Sequence, residues 1–289
     1  MALHTIRFSK KAATTRQTTS TMKNIFVASL VTRAQIDEYR ENGFICLRRV
    51  FGKKWRDLAA HGYERNKLFP GKYHDNSVDE NGKTYWTDIC RYKSISEYLE
   101  FAKSSPAAEI AGRLMESSIA LFLHDEMIAQ DAGFFRGSQW HQDQPYAPID
   151  GEGCSIWMPI FTPTRGAIKF IKGSHLLGVL EYDKGANSFY THEAPEILEA
   201  VRKFDKKDIV SDNLEPGDCI VFNMKTIHSV DFTSPIGREV LVTRWAGEDA
   251  IVRKKETYPP PEVLTPNDLT YGDYWKDSSE AIIPWRIKE

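Results

Sequence analysis

The stretch Ser138-Gln139-Trp140-His141-Gln142-Asp143-Gln144-Pro145-Tyr146 sets an imidazole and a carboxylate two residues apart. On an extended strand that spacing turns both side chains to one face. With a second imidazole from elsewhere they would make the two-histidine-one-carboxylate arrangement, which holds ferrous iron and leaves its other side open. The chain has 8 His, and 40 of its 289 residues are Asp or Glu, so about one His followed by an acid two places on is expected by chance. It has two, the other being His124/Glu126. Context has to separate them.

The motif lies in a β-rich half. From Ser118 onward, Ile119–Leu123, Glu126–Gln130, Ser155–Phe161, Ala167–Ile171, Cys219–Phe222, His228–Phe232 and Glu239–Trp245 read as short strands between Gly, Pro, Asp and Asn turns. That texture predicts a β-sandwich or barrel. A helical insert is expected at about Ala194 to Phe204. The front of the chain is helical: Thr32-Arg33-Ala34-Gln35 has the form of a capping box and Asn42-Gly43 of a helix end. Phe44–Leu47 reads as a short strand, and further helices are expected at Trp55–Leu68 and Ser94–Met115, the latter broken at Ser105-Pro106. Residues 71–92 read as a long loop of the kind that covers binding sites. The expected fold is mostly β, a barrel packed against N-terminal helices, in one domain spanning 32–289.

Composition narrows the function. With 41% apolar and 12% aromatic residues the chain can bury a sizeable core. A net charge of −2 argues against nucleic-acid partners. No apolar run approaches the length of a membrane span. The four Cys are scattered without a CxxC, as expected of reduced thiols in a cell interior. Residues 1–31 are basic and rich in Ser and Thr, with no acid before Asp37. They read either as an organelle transit peptide or as a solvated tail. The expected location is therefore cytoplasmic or organellar.

His228 is the candidate second imidazole, following the apolar run Cys219–Phe222. Arg238 lies ten residues on, across the turn Ser234-Pro235-Ile236-Gly237, and the pair reads as a hairpin of neighbouring strands. A guanidinium grips a carboxylate with two parallel hydrogen bonds, so Arg238 could anchor a dicarboxylate co-substrate.

The ordered series Trp140-His141-Gln142-Asp143-Gln144-Pro145-Tyr146, Trp157, Gly173-Ser174-His175, His228 and Arg238 resembles the phytanoyl-CoA dioxygenase family of iron(II)/2-oxoglutarate oxygenases. So do Tyr39-Arg40-Glu41-Asn42-Gly43-Phe44 and Arg244-Trp245-Ala246-Gly247-Glu248-Asp249-Ala250. The resemblance implies a double-stranded β-helix, a jelly-roll or cupin-like barrel. It implies Fe(II) on His141, Asp143 and His228, with 2-oxoglutarate and O2 as co-substrates and Arg238 on the distal carboxylate. Trp157 falls where the family has a Trp near that co-substrate. Two positions depart from the family's pattern: Gln130 stands where many relatives have Lys, and Val230 where a small hydroxyl residue is common, with Thr233 or Ser234 as the replacement from the turn.

The implied reaction oxidises an unactivated C–H bond of a small, secondary-metabolism-like molecule by hydroxylation, desaturation or cyclisation, releasing succinate and CO2. Retention of Asp143 argues against halogenation. Tyr73, Trp86, Phe135, Gln144 and Tyr146 are candidate substrate contacts, an aromatic set suited to an apolar or amphiphilic molecule. His175 reads as a turn residue and His124/Glu126 as the chance pair. A monomer or weak oligomer is expected. A cupin-like metalloenzyme that does not use 2-oxoglutarate and a non-catalytic β-barrel binding protein are the rival readings.

Overall fold

The capping signal at Thr32 opens the first helix among the described residues, α1 (Arg33–Asn42). A computed structural model describes residues 29–134, 138–180, 195–230, 235–253 and 264–287; the basic tail, save its last three residues, lies outside them. The Thr32 hydroxyl accepts from the Gln35 amide at 3.3 Å, and the Gln35 side chain accepts from the Thr32 amide at 2.9 Å. These bonds satisfy donors that a helix start otherwise leaves orphaned. The helix stops at Gly43, in the left-handed region at φ +82. A Cβ there would run into His175 Nδ1 and Thr226 Oγ1, so glycine supplies both the turn and the space. His175 Nε2 bonds the Arg40 carbonyl at 3.0 Å, a structural position, as the Gly-Ser-His turn predicts.

After α1 come β1 (Phe44–Leu47) and α2 (Lys53–Leu68). Residues 71–92 do not form the expected loop. They hold a hairpin, β2 (Asp75–Val78) and β3 (Thr84–Ile89), whose turn is closed by Asp79 Oδ1 accepting from the amides of Asn81 and Lys83. β2 alternates half-buried and exposed residues and β3 mixes aromatic with polar ones, so no apolar period marks them. The helices α3 (Ser96–Ser104) and α4 (Ala107–Leu114) follow, divided at Ser105-Pro106 as expected.

The remaining elements are β4 (Ile119–Gln130), β5 (Ser138–His141), β6 (Ile149–Asp150), β7 (Gly153–Pro159), β8 (Thr164–Ile171), α5 (Pro195–Val201), β9 (Ile209–Leu214), β10 (Cys219–Asn223), β11 (His228–Val230), β12 (Arg238–Ala246), β13 (Ile251–Val252) and β14 (Ile282–Arg286). The two strands expected between Ile119 and Gln130 are one, kept continuous through a register irregularity opposite Arg244/Trp245. The larger sheet runs β1-β10-β7-β12-β4-β3-β2, with β14 also on β4, and the smaller runs β5-β11-β8-β9. All the pairings are antiparallel. Two facing sheets of this order form a double-stranded β-helix flanked by helices.

One expected pairing is overturned. The strands carrying His228 and Arg238 are not hairpin neighbours: β11 pairs with β5 and β8, whereas β12 pairs with β4 and β7. The two strands belong to different sheets. Pairing β11 with β5 instead places His228 directly opposite His141.

The central strands of the larger sheet, β4, β7 and β12, are buried on both faces. The sheet's outer face, with Met127, Ala129, Leu241 and Trp245, packs on the helices through Phe51, Phe101, Ile110 and Leu114. Its inner face joins the smaller sheet through Trp157, Val240, Val242, Ile168, Phe170 and Phe222. Each such side chain contributes about 1.5–3 kcal/mol by leaving water. Among the described residues no helix is long and apolar enough to cross a membrane.

Candidate metal centre

His141 ends β5, and the chain then leaves the strand. Asp143 is at φ −75, ψ −35, at the head of a short 3-10 turn through Gln144–Tyr146. The two side chains converge because of that turn, and the extended-strand spacing argument does not apply. His228 begins β11 on the adjacent strand. Asp143 Oδ1 lies 3.8 Å from His141 Nε2 and 3.6 Å from His228 Nε2, and the ligand atoms of all three lie within 4.8 Å of one another.

The orientation of both rings is fixed by the same local device. His141 Nδ1 bonds the Gln139 carbonyl at 2.7 Å, and His228 Nδ1 bonds the Thr226 carbonyl at 2.9 Å. A carbonyl only accepts, so each Nδ1 carries the proton and each Nε2 offers its lone pair to the common centre. Burial lowers the pKa of both imidazoles, that of His228 to about 3, with His141 next to it adding to the shift. Both are therefore neutral near pH 7, the form that ligates. Asp143 is buried, which alone would raise its pKa; Arg244, the two imidazoles and the Ser155 hydroxyl hold it well below the usual carboxylate range. Two neutral nitrogens and one carboxylate oxygen facing one point fit a divalent first-row metal, iron included.

The second carboxylate oxygen is occupied. Ser155 Oγ donates to Asp143 Oδ2 at 2.6 Å and Arg244 Nε at 3.3 Å, while Arg244 Nη1 donates to Glu126 Oε2 at 2.7 Å. Burial works against the Arg244 charge, but Asp143 and Glu126 more than offset it and raise its pKa. Ser155, Arg244 and Glu126 were absent from the sequence-based site. Arg238 and Arg244 are six apart on one strand and so share a face, which was the available signal.

Comparison with known proteins now bears on this geometry. The profile of the phytanoyl-CoA dioxygenase (PhyH) family matches residues 39–233, well over half of the chain. The chain belongs to this family. The match contains His141, Asp143 and His228; Arg238 lies just beyond it. As a PhyH protein the chain is a non-haem iron/2-oxoglutarate-dependent oxygenase. None of the curated proteins it was compared with matches. Among solved structures, it is similar to the epimerase SnoN in complex with Fe3+, alpha ketoglutarate and nogalamycin RO. The identity there is 15%, the TM-score 0.64, and the alignment covers 86% of this chain and 97% of that one. The alpha ketoglutarate dependent carbocyclase SnoK from nogalamycin biosynthesis gives 13% identity and a TM-score of 0.65 over 88% and 96%. EctD from S. alaskensis, with 2-oxoglutarate and 5-hydroxyectoine, gives 14% and 0.61 over 86% and 88%. At these identities the likeness is one of fold.

The other expected PhyH site residues divide. Arg238 is 3% exposed on β12, in the row with Val240 and Val242, and donates to Gln130 Oε1. Gln130 Nε2 in turn donates to the Phe134 carbonyl at 2.9 Å, so Gln130 braces the guanidinium. Trp157 pairs with Val242 and is 4% exposed on the inner face. Trp86 does not join them: it pairs with Ala129 on the outer face and packs edge-on against Tyr63 at 5.9 Å. Gln144, 1% exposed, donates to the Ile149 carbonyl at 2.8 Å and ties the turn after Asp143. Tyr146 is half-buried in that turn, and Tyr73 is half-buried ahead of β2 with Lys72 over its ring at 5.3 Å. Phe135, Thr233 and Ser234 lie outside the described residues.

Proposed function

We propose that this protein, from about residue 32 onward a single oxygenase domain, oxidises an unactivated C–H bond of a small molecule inside the cell. His141, Asp143 and His228 are its iron ligands and Arg238 anchors 2-oxoglutarate. The convergence of His141 Nε2, His228 Nε2 and Asp143 Oδ1 carries this reading. When bound, iron and 2-oxoglutarate supply dioxygen activation coupled to decarboxylation, with release of succinate and CO2.

The chain's own residues perform the rest. The Gln139 and Thr226 carbonyls orient the two imidazoles, and Asp143 supplies the negative charge. Arg238, buried and always charged, suits the far carboxylate of a dicarboxylate. Trp157, Val240 and Val242 line the same face of the sheet with apolar surface that excludes water, which strengthens that charge pairing. Hydroxylation, desaturation and cyclisation share these residues and differ in how the substrate is held.

The test is anaerobic addition of Fe(II) and 2-oxoglutarate, watching for the visible charge-transfer band of the iron chelate. The band is expected in the wild type and expected to vanish in Asp143→Ala. No band in the wild type contradicts the assignment. Uncoupled succinate formation in air then measures turnover.

A further inference from the structure

We propose that Ser155 and Arg244 form a clamp on one oxygen of Asp143, with Glu126 holding the arginine, so that Asp143 presents a single oxygen to the metal. The inference rests on the three-ligand reading above and goes beyond it, because it assigns roles to three residues that bind no metal.

The two oxygens of Asp143 face different partners. Oδ1 points at the imidazole nitrogens, at 3.6 and 3.8 Å. Oδ2 takes the Ser155 hydroxyl at 2.6 Å and Arg244 Nε at 3.3 Å. A carboxylate with both oxygens free can chelate a cation through both, and it then fills a coordination position that a co-substrate needs. Two donors on Oδ2 engage its lone pairs and remove that option. The β-sheet builds the clamp by register: Arg244 pairs with Ser155 across β12 and β7, which brings the hydroxyl and the guanidinium to the same carboxylate.

Glu126 completes the device. It pairs across β4 with Val242, two residues from Arg244, and accepts from Arg244 Nη1 at 2.7 Å. It also accepts from Thr87 on β3 at 3.4 Å. The guanidinium is thus held at both ends, between a metal ligand and a fixed carboxylate. The second charge matters as well. A guanidinium paired with Asp143 alone would draw electron density from the ligand oxygen; Glu126 shares that charge and leaves Asp143 the stronger donor. A buried, bridged arginine of this kind acts through Asp143 and is a positioning residue.

The experiment measures Fe(II) affinity anaerobically in the presence of 2-oxoglutarate, together with thermal unfolding of the metal-free protein, for Ser155→Ala, Arg244→Gln, Arg244→Lys and Glu126→Gln. Ser155→Ala and Arg244→Gln are expected to weaken Fe(II) binding by about 10- to 100-fold, the range seen when partners of metal ligands are lost. Their charge-transfer band per bound iron is expected to fall, because a freed Asp143 competes with 2-oxoglutarate for a position. Glu126→Gln is expected to cost less, and Arg244→Lys to recover only part of the loss, because an ammonium cannot bridge two carboxylates as a planar fork does. Ser155→Ala removes one hydroxyl and keeps the fold testable if Arg244→Gln does not fold. Wild-type affinity and an unchanged band in Ser155→Ala overturn the clamp. So does a loss of affinity no greater than the loss of metal-free stability accounts for. A wild type that binds no Fe(II) would instead overturn the three-ligand reading itself, so the two failures are distinct.

Discussion

The two faces of the larger sheet use the same strands for opposite ends. On β4 and β12 the outward residues Met127, Ala129, Leu241 and Trp245 are apolar and meet the helices. The inward rows carry Glu126, Gln130, Arg238 and Arg244, set among Val240, Val242 and Trp157. The outer face accounts for stability. The inner face concentrates charge that is tolerated only because each group is paired or is held ready for a ligand. The contrast teaches that burial alone does not separate scaffold from site in this fold, since both faces are buried. The chemistry of the row does.

Substitutions on the two faces should therefore fail differently. Asp143→Ala, in the turn that meets the inner face at Ser155 and Arg244, is expected to abolish iron binding and reduce succinate formation to the metal-free background while the protein stays folded; measurable turnover would break the contrast. Trp245→Ala, on the outer side, should cost about 3–5 kcal/mol in denaturant unfolding, because it empties a site that is 0% exposed. The iron chelate of whatever protein remains folded should look unchanged. Arg238→Ala should weaken 2-oxoglutarate binding by about 2–5 kcal/mol, roughly 30- to 5,000-fold, with Fe(II) affinity little altered. Isothermal titration separates the two quantities.

Several features that make this contrast were legible in the sequence. The cap at Thr32, the break at Pro106 and the order of His141, Asp143 and His228 are local signals, and local signals survive without a structure. Strand partners are not local. His228 and Arg238 look like hairpin neighbours at a ten-residue spacing, yet the fold carries them to different sheets. β4 hides its faces because it is buried on both, so no alternation of apolar and polar residues marks which side is inner. Glu126 looked like half of a chance pair, and Arg244 stood out only within the run Arg244-Trp245-Ala246-Gly247-Glu248-Asp249-Ala250. Only the cross-strand register shows that Arg244 bridges Glu126 to Asp143.

A pH-dependent effect concerns His124, another inner-row residue. Burial, with Arg244 adding to it, lowers its pKa to about 3 from an ordinary 6.5. Above pH 6.5 it is neutral folded and unfolded alike, and its contribution to stability is fully present. As pH falls from 6.5 toward 3 the unfolded chain takes up a proton that the fold refuses, so stability drops by up to about 1.4 kcal/mol per pH unit. His124→Leu should flatten the acid limb of the metal-free protein's stability profile by that slope. An identical slope would mean that His124 is protonated inside the fold.

The central claim is tested most directly by crystals grown without oxygen in the presence of Mn(II) as a redox-silent stand-in for iron. The expected result is one anomalous peak within about 2.0–2.3 Å of His141 Nε2, His228 Nε2 and a single oxygen of Asp143. A metal found elsewhere, or bound here by fewer than these three side chains, would contradict it.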